Sequence, residues 1–71
     1  MATKEQYEKG AKNLAQKIRE VQSPAEKARV MTCLGNLRYS QYRATQEAQA
    51  LKLAGNCYLA ARSFHYQQLT A

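Results

Sequence analysis

The sequence predicts a single all-α domain, and three observations carry this prediction. Hydrophobic residues make up 45% of the 71 residues, whereas the chain contains only three glycines and one proline, so little material is available for loops. Apolar residues recur three and four positions apart along most of the chain, which is the spacing of one helix face. A helix-start signal at residues 23–26 separates two such stretches. We therefore expect residues 1–71 to form one domain of two or three helices.

The first helix is predicted over about residues 4–21. Thr3 is a suitable N-cap residue, and Glu5 lies in the first turn, where a carboxylate meets the positive end of the helix dipole. One apolar stripe runs along this helix and consists of Tyr7, Ala11, Leu14, Ile18 and Val21. The lysines and Arg19 fall off this stripe, so the opposite side of the helix is basic and solvated.

A second helix is predicted to begin at Pro24. Ser23 stands at the N-cap position, Pro24 at the first helical position and Glu26 three residues after the cap, which is the pattern of a capping box. Only Gln22 separates Val21 from this cap. Because the connection is so short, we expect the two helices to form an antiparallel hairpin.

The second helix is predicted to be long, because no proline follows Pro24. At ~100° per residue its apolar residues fall on two sides. One side matches the length of the first helix and comprises Val30, Leu34, Leu37, Ala44, Ala48 and Leu51. The opposite side comprises Tyr39, Tyr42, Ala50, Leu53, Ala54, Cys57, Ala60, Ala61 and Phe64. In a two-helix hairpin nothing in the chain covers this second side.

A second copy is therefore the predicted cover, and the hairpin is expected to assemble as a dimeric helical bundle. The predicted oligomer interface consists of Ala50, Leu53, Ala54, Cys57, Ala60, Ala61 and Phe64. The alternative is a three-helix bundle, in which the second helix breaks near residues 43–45 and the last segment folds back. Thr45 would then act as a cap, with Glu47 in the first turn of a third helix.

Charge and composition restrict the kinds of partner. Eleven Lys and Arg residues against five acidic residues give a net charge of +6, which favours an acidic protein or nucleic acid as partner. The sequence shows no targeting signal and no run of roughly 18 apolar residues, so we expect a cytoplasmic protein with no membrane partner. In a reducing compartment Cys33 and Cys57 are expected to remain thiols rather than to form a disulfide.

Neither catalysis nor metal binding is predicted. The chain has one histidine, His65, and no aspartate, so a nucleophile, a base and an orienting acid cannot be assembled from it. Cys33, Cys57 and His65 are too widely spaced in sequence for a finger-like zinc site. No glycine-rich phosphate loop is present. We therefore expect a protein that is not an enzyme and holds no cofactor.

The predicted partner-binding residues are Arg38, Tyr39, Tyr42 and Arg43. On one continuous helix Arg38 and Tyr42 are four apart, as are Tyr39 and Arg43, so guanidinium and aromatic groups alternate on the surface. Tyrosine and arginine are enriched at the energetic centres of protein interfaces. The hypothesis is a small regulatory or adaptor protein that binds and modulates a larger, unidentified and acidic protein.

The alternative hypothesis is a small basic regulator that binds nucleic acid. Residues 28–43 can be aligned with a helix-turn-helix in which Gly35 is the turn glycine and Arg38 to Arg43 begin a recognition helix. Arginine and tyrosine side chains can also stack on single-stranded bases. In this hypothesis the basic side of the first helix acts together with Arg38, Arg43 and Lys52.

Overall fold

The computed structural model describes residues 3–70, which form three α-helices. Helix α1 spans Lys4–Glu20, α2 spans Pro24–Thr45 and α3 spans Ala48–Thr70. The prediction of an all-α protein is confirmed. Helix α2 lies in the middle: α1 and α3 each pack on it, and within the described residues they do not pack on each other. The molecule is therefore elongated, with extents of 40 × 20 × 15 Å.

Helix α1 begins with a complete capping box. The Thr3 hydroxyl accepts a hydrogen bond from the Gln6 backbone N–H (3.2 Å), and the Gln6 side chain accepts one from the Thr3 N–H (2.8 Å). Two backbone N–H groups that the helix leaves without partners are thereby satisfied. The predicted N-cap, Thr3, is confirmed. The helix ends at Glu20, where Val21 leaves it in an extended conformation.

Helix α2 begins at Pro24, and Ser23 caps it. The Ser23 hydroxyl accepts a hydrogen bond from the Glu26 N–H at 3.1 Å. Residues 21–23 complete a tight connection, and α2 then runs antiparallel to α1. This direction follows from the contact between Glu8, near the start of α1, and Arg38, in the second half of α2.

The predicted long second helix is not formed, because α2 ends at Thr45. Gln46 adopts the left-handed conformation (φ 61°, ψ 21°), and its N–H donates to the Tyr42 carbonyl at 2.7 Å. Thr45 stabilises the turn by accepting a hydrogen bond from the Glu47 N–H at 3.3 Å. A left-handed glutamine costs roughly 1–2 kcal/mol. We attribute the left-handed conformation of Gln46 to the packing of α3 on α2: the free energy gained by burying one face of α3 offsets this cost.

The interface between α2 and α3 is built from small residues. The buried residues of this interface are Ala28 and Gly35 on α2, and Ala50, Ala54, Cys57 and Ala61 on α3. The two helices run antiparallel, because Tyr58 contacts Asn36 while Phe64 lies near Lys27. Small side chains allow two helices to lie close together, so this interface is stabilised by dense packing.

Within the same chain, α2 packs against the part of the second apolar side that lies on α3. Ala50, Ala54, Cys57 and Ala61, predicted to contact a second copy, are buried, whereas Leu53, Ala60 and Phe64 are half-buried. The reason for expecting a dimer at these residues no longer holds. Ala44, Ala48 and Leu51 were predicted to lie under the first helix but are exposed. Helix α1 begins at Lys4, which pairs with Glu47 in the turn after α2 at 3.9 Å, and Ala48 and Leu51 lie beyond that turn, on α3.

Helix α1 packs less completely than α3. Ala11 is buried, and the rest of the predicted stripe, Tyr7, Leu14, Ile18 and Val21, is half-buried. On α2 the buried Val30 and the half-buried Leu34 and Leu37 lie on the side that receives α1. None of the three described helices is long and apolar enough to cross a membrane.

Candidate functional site

Arg38 of α2 connects α1 to α2 through hydrogen bonds. Its Nη1 atom donates to Glu8 Oε1 at 2.7 Å and to Gln41 Oε1 at 2.9 Å. The Arg38 side chain is only 16% exposed, and Gln41 is buried. Because Gln41 is polar and buried, the hydrogen bond from Arg38 offsets its loss of water. Arg38, predicted to bind a partner, is therefore engaged within the fold.

The ion pair perturbs the acidity of Glu8. The hydrogen bond from Arg38 holds the pKa of the Glu8 carboxyl below its ordinary value, and the Arg38 charge and the Gln41 side chain act in the same direction. A carboxyl whose pKa is depressed by folding contributes stability above its unfolded pKa. That contribution is lost as the pH falls through the folded pKa.

Replacing Glu8 with glutamine is expected to lower the free energy of unfolding at neutral pH by less than about 1 kcal/mol, because Glu8 is half-exposed and water screens the pair. The difference from the wild type should disappear at a pH below the folded pKa of Glu8, where its carboxyl is protonated. Urea unfolding at about pH 7 and at a series of successively lower pH values follows the loss of this difference. Glu20→Gln is the control and should lose no stability, since Glu20 lies at the C-terminal end of α1. An equal loss in both variants would contradict the assignment.

Tyr39, Tyr42 and Arg43 stand at the outer surface of α2. The rings of Tyr39 and Tyr42 have centroids 6.3 Å apart and are tilted by 36°, a favourable arrangement for an aromatic pair. Tyr39 is 44% exposed, Tyr42 is half-buried and Arg43 is exposed. Of the predicted partner-binding residues, these three are accessible, while Arg38 is not.

Tyr58 of α3 extends the same surface. Its hydroxyl donates to Asn36 Oδ1 at 2.6 Å, and its ring crosses Gly35 of α2. Asn36, Tyr39 and Arg43 follow one another at spacings of three and four, so they share one face of α2. We call Asn36, Tyr39, Tyr42, Arg43 and Tyr58 the tyrosine edge. Sequence reasoning missed Tyr58, because its position depends on α3 folding back.

The helix-turn-helix arrangement is not formed. Residues 28–43 lie inside the continuous helix α2, and Gly35 is a buried helical residue. The aligned turn glycine instead makes room for the Tyr58 ring. The basic residues of the nucleic-acid hypothesis do not form one surface. Arg38 is packed between α1 and α2, and Lys52 lies on α3, which within the described residues does not pack on α1. Lys9 and Lys12 line a groove of about 550 Å³ together with Glu8 and Arg38.

The residues with chemical reactivity lie in different surroundings. Cys57 is buried, and burial raises the pKa of its thiol, which disfavours the reactive thiolate. Cys33 is an exposed free thiol on α2, and His65 is exposed on α3. Across residues 3–70 no three His, Cys, Asp or Glu side chains gather into a group that could hold a metal ion.

A second accessible surface lies on the outer side of α3. Leu59, Tyr66 and Leu69 are the most exposed large apolar residues of the described chain. A hollow of about 390 Å³ is lined by Leu59, Arg62, Ser63, Tyr66 and Gln67. Sequence reasoning placed Leu59, Tyr66 and Leu69 on neither apolar side. Their spacings of seven and three contained the signal, since both are helical repeats.

Comparison of the chain with models of protein families, with curated proteins and with solved structures finds no match.

Proposed function

We propose that this chain is a small, non-enzymatic regulatory or adaptor protein that binds a larger protein through the tyrosine edge. The observation that carries the proposal is the tilted Tyr39–Tyr42 pair beside the exposed Arg43. Tyrosine and arginine provide large contact areas and a charged donor group, the combination that dominates interface energetics. The cationic Arg43 and the net charge of +6 favour an acidic partner surface.

The tyrosine edge is held in place before any partner arrives, which supports this proposal. Tyr58 is fixed by its hydrogen bond to Asn36, and the Tyr39 ring is restrained by that of Tyr42. Side chains that are ordered in the free protein lose less entropy on binding.

Capture experiments with the full chain test this function. The immobilised protein is incubated with a lysate of its source cell, once with and once without nuclease treatment, and retained proteins are compared between variants. We expect Tyr39→Ala and Arg43→Ala to reduce retention of a specific protein about tenfold, as hot-spot truncations do. Arg29→Ala is the matched control, because Arg29 is exposed on the same helix outside the tyrosine edge, and it should retain the partner fully.

Two results would reject the proposal. Equal retention by Tyr39→Ala, Arg43→Ala and Arg29→Ala would show that the tyrosine edge is not the binding surface. Retention that depends on nucleic acid, and that disappears on nuclease treatment, would favour the nucleic-acid alternative. In that case affinity for the nucleic acid should fall steeply with salt, because bound phosphates release counterions.

A further inference from the structure

The outer side of α3 presents an exposed apolar stripe. At ~100° per residue its members lie within about 80° of one another around the helix. They are Leu51, Gly55, Leu59, Arg62, Tyr66 and Leu69, all of them exposed, and we call this set the outer stripe. It faces away from α2, because Ala50, Ala54, Cys57 and Ala61 occupy the buried side of the helix. No described helix of the same chain packs on it.

We propose that the outer stripe binds an acidic amphipathic helix of a partner protein. An apolar side chain of that helix enters the hollow lined by Leu59 and Tyr66, and a neighbouring carboxylate pairs with Arg62, which lines the same hollow. The outer stripe shares no residue with the tyrosine edge, so the two proposals stand independently.

The hollow provides the site for an anchoring side chain. It has a volume of about 390 Å³ and is lined by Leu59, Arg62, Ser63, Tyr66 and Gln67. This volume is at the small end of the range for ligand pockets, so it suits one large side chain rather than a cofactor. Leu59 is 63% exposed and Tyr66 is 69% exposed. An apolar side chain in the hollow removes both surfaces from water, which favours binding.

Arg62 selects the charge of the occupant. Helix α3 contains no Asp or Glu residue, and across residues 3–70 Arg62 takes part in no salt bridge. A guanidinium group recognises a carboxylate through two parallel hydrogen bonds. The hollow therefore favours a ligand that carries a carboxylate beside an apolar group.

Lys52 places a second cation at the other edge of the outer stripe. At ~100° per residue Lys52 and Arg62 lie about 80° apart around α3, with Leu59 and Tyr66 between them. Along the helix the two cations are separated by about 15 Å, or about three turns. A helix that covers the outer stripe therefore meets both cations if two of its carboxylates are about three turns apart.

The shape and charge of the outer stripe favour a helix as the occupant. From Leu51 to Leu69 the stripe runs for about 27 Å, which a helix of about 18 residues covers. A Cβ atom added to Gly55 would meet nothing within 4 Å, so this glycine leaves a notch between Leu51 and Leu59. A side chain of a packed helix fits such a notch. A second copy of α3 would bring the same cations and no carboxylate, so an acidic helix is the better match.

The area of the outer stripe predicts a reversible complex. Its four large apolar residues, Leu51, Leu59, Tyr66 and Leu69, are 43%, 63%, 69% and 83% exposed. Taking about 200 Å² for a fully exposed large side chain, they offer roughly 500 Å² to a partner. The two sides together would bury about 1,000 Å², the lower limit for a specific interface. We therefore expect a dissociation constant of about 10–100 µM.

Synthetic helices test the chemistry of the occupant. The probe is a fluorescently labelled peptide of about 20 residues, with leucine at helical spacing along one side and glutamate at the remaining positions. One control peptide has lysine in place of glutamate, and the other has the probe's residues in an order that forms no apolar side. We expect the full chain to bind the acidic probe in the micromolar range and both controls at least tenfold more weakly, as measured by fluorescence anisotropy.

Two variants locate the binding surface. Leu59→Gln and Arg62→Gln should each raise the dissociation constant of the acidic probe about tenfold, and both should keep wild-type helicity because the two residues are exposed. Tyr39→Gln replaces an exposed ring of the tyrosine edge, and Arg29→Gln removes an exposed cation of α2. These matched controls should change the constant less than about twofold.

Three results would overturn the proposal. The first is an acidic probe that does not bind, or that binds no better than the two control peptides. The second is an equal effect of Arg62→Gln and Arg29→Gln, since binding would then depend on net charge alone. The third is retention of the chain by vesicles of phosphatidylcholine and phosphatidylserine, lost in Leu59→Gln, without binding of the acidic probe. That result would assign the outer stripe to anionic lipid.

Discussion

Replacing Ala54 with leucine is expected to lower the free energy of unfolding by about 3 kcal/mol, the upper part of the range for overpacked cores. Ala54 is almost completely buried on the side of α3 that faces α2. A leucine there must push the two helices apart. Within the described residues α3 packs on α2 and not on α1, so no contact with α1 compensates for the loss. For a domain of this size the melting temperature should fall by more than about 10 °C, measured by circular dichroism.

The control for this change is Ala44→Leu. Ala44 is exposed on α2, and alanine and leucine have similar helix propensities, so this variant should stay within about 0.5 kcal/mol of the wild type. The comparison separates the packing of α2 against α3 from the general effect of a larger side chain. Equal losses in the two variants would show that Ala54 does not set the distance between the helices.

Replacing Gly35 with alanine is expected to lower stability by about 1 kcal/mol, although alanine favours a helix by a similar amount. The added Cβ would lie 2.7 and 2.9 Å from Cε1 and Cδ1 of Tyr58. The Tyr58 ring must move, and its hydrogen bond to Asn36 would then be broken. We expect this overpacking, which costs about 1–3 kcal/mol, to exceed the gain in helix propensity.

Gly55→Ala supplies the matched comparison, because Gly55 is also a helical glycine but has nothing within 4 Å of the added Cβ. This variant should gain about 1 kcal/mol. Urea unfolding of the two variants should therefore give changes of opposite sign. A gain of stability in both would show that the Tyr58 ring moves aside from Gly35 without cost.

The limits of α1 and the start of α2 could be read from the sequence because their signals are local. Thr3 and Ser23 cap the helices that follow them, and a cap depends on residues only three positions away. The end of α2 could not be read in this way. Gln46 adopts a left-handed conformation that glycine and asparagine usually occupy, so no residue type marks the turn.

The candidate site was predictable in part for the same reason. Exposure of Tyr39 and Arg43 follows from their place on the outer face of α2, which the helical period determines. The engagement of Arg38 depends on Glu8, which is 30 positions away in the sequence. The role of Tyr58 likewise depends on Asn36, 22 positions away. Contacts at such distances have no periodic signature.

By itself the sequence determined that this protein is all-helical, where its first two helices begin and which residues of α3 form its buried side. Only the tertiary structure decided what each side contacts. The turn at Gln46 brings Ala50, Ala54, Cys57 and Ala61 against α2 and leaves Leu59, Tyr66 and Leu69 outside. The physical reason is that periodicity defines the faces of a helix, whereas the choice of a partner for each face depends on the free energy of packing the whole chain.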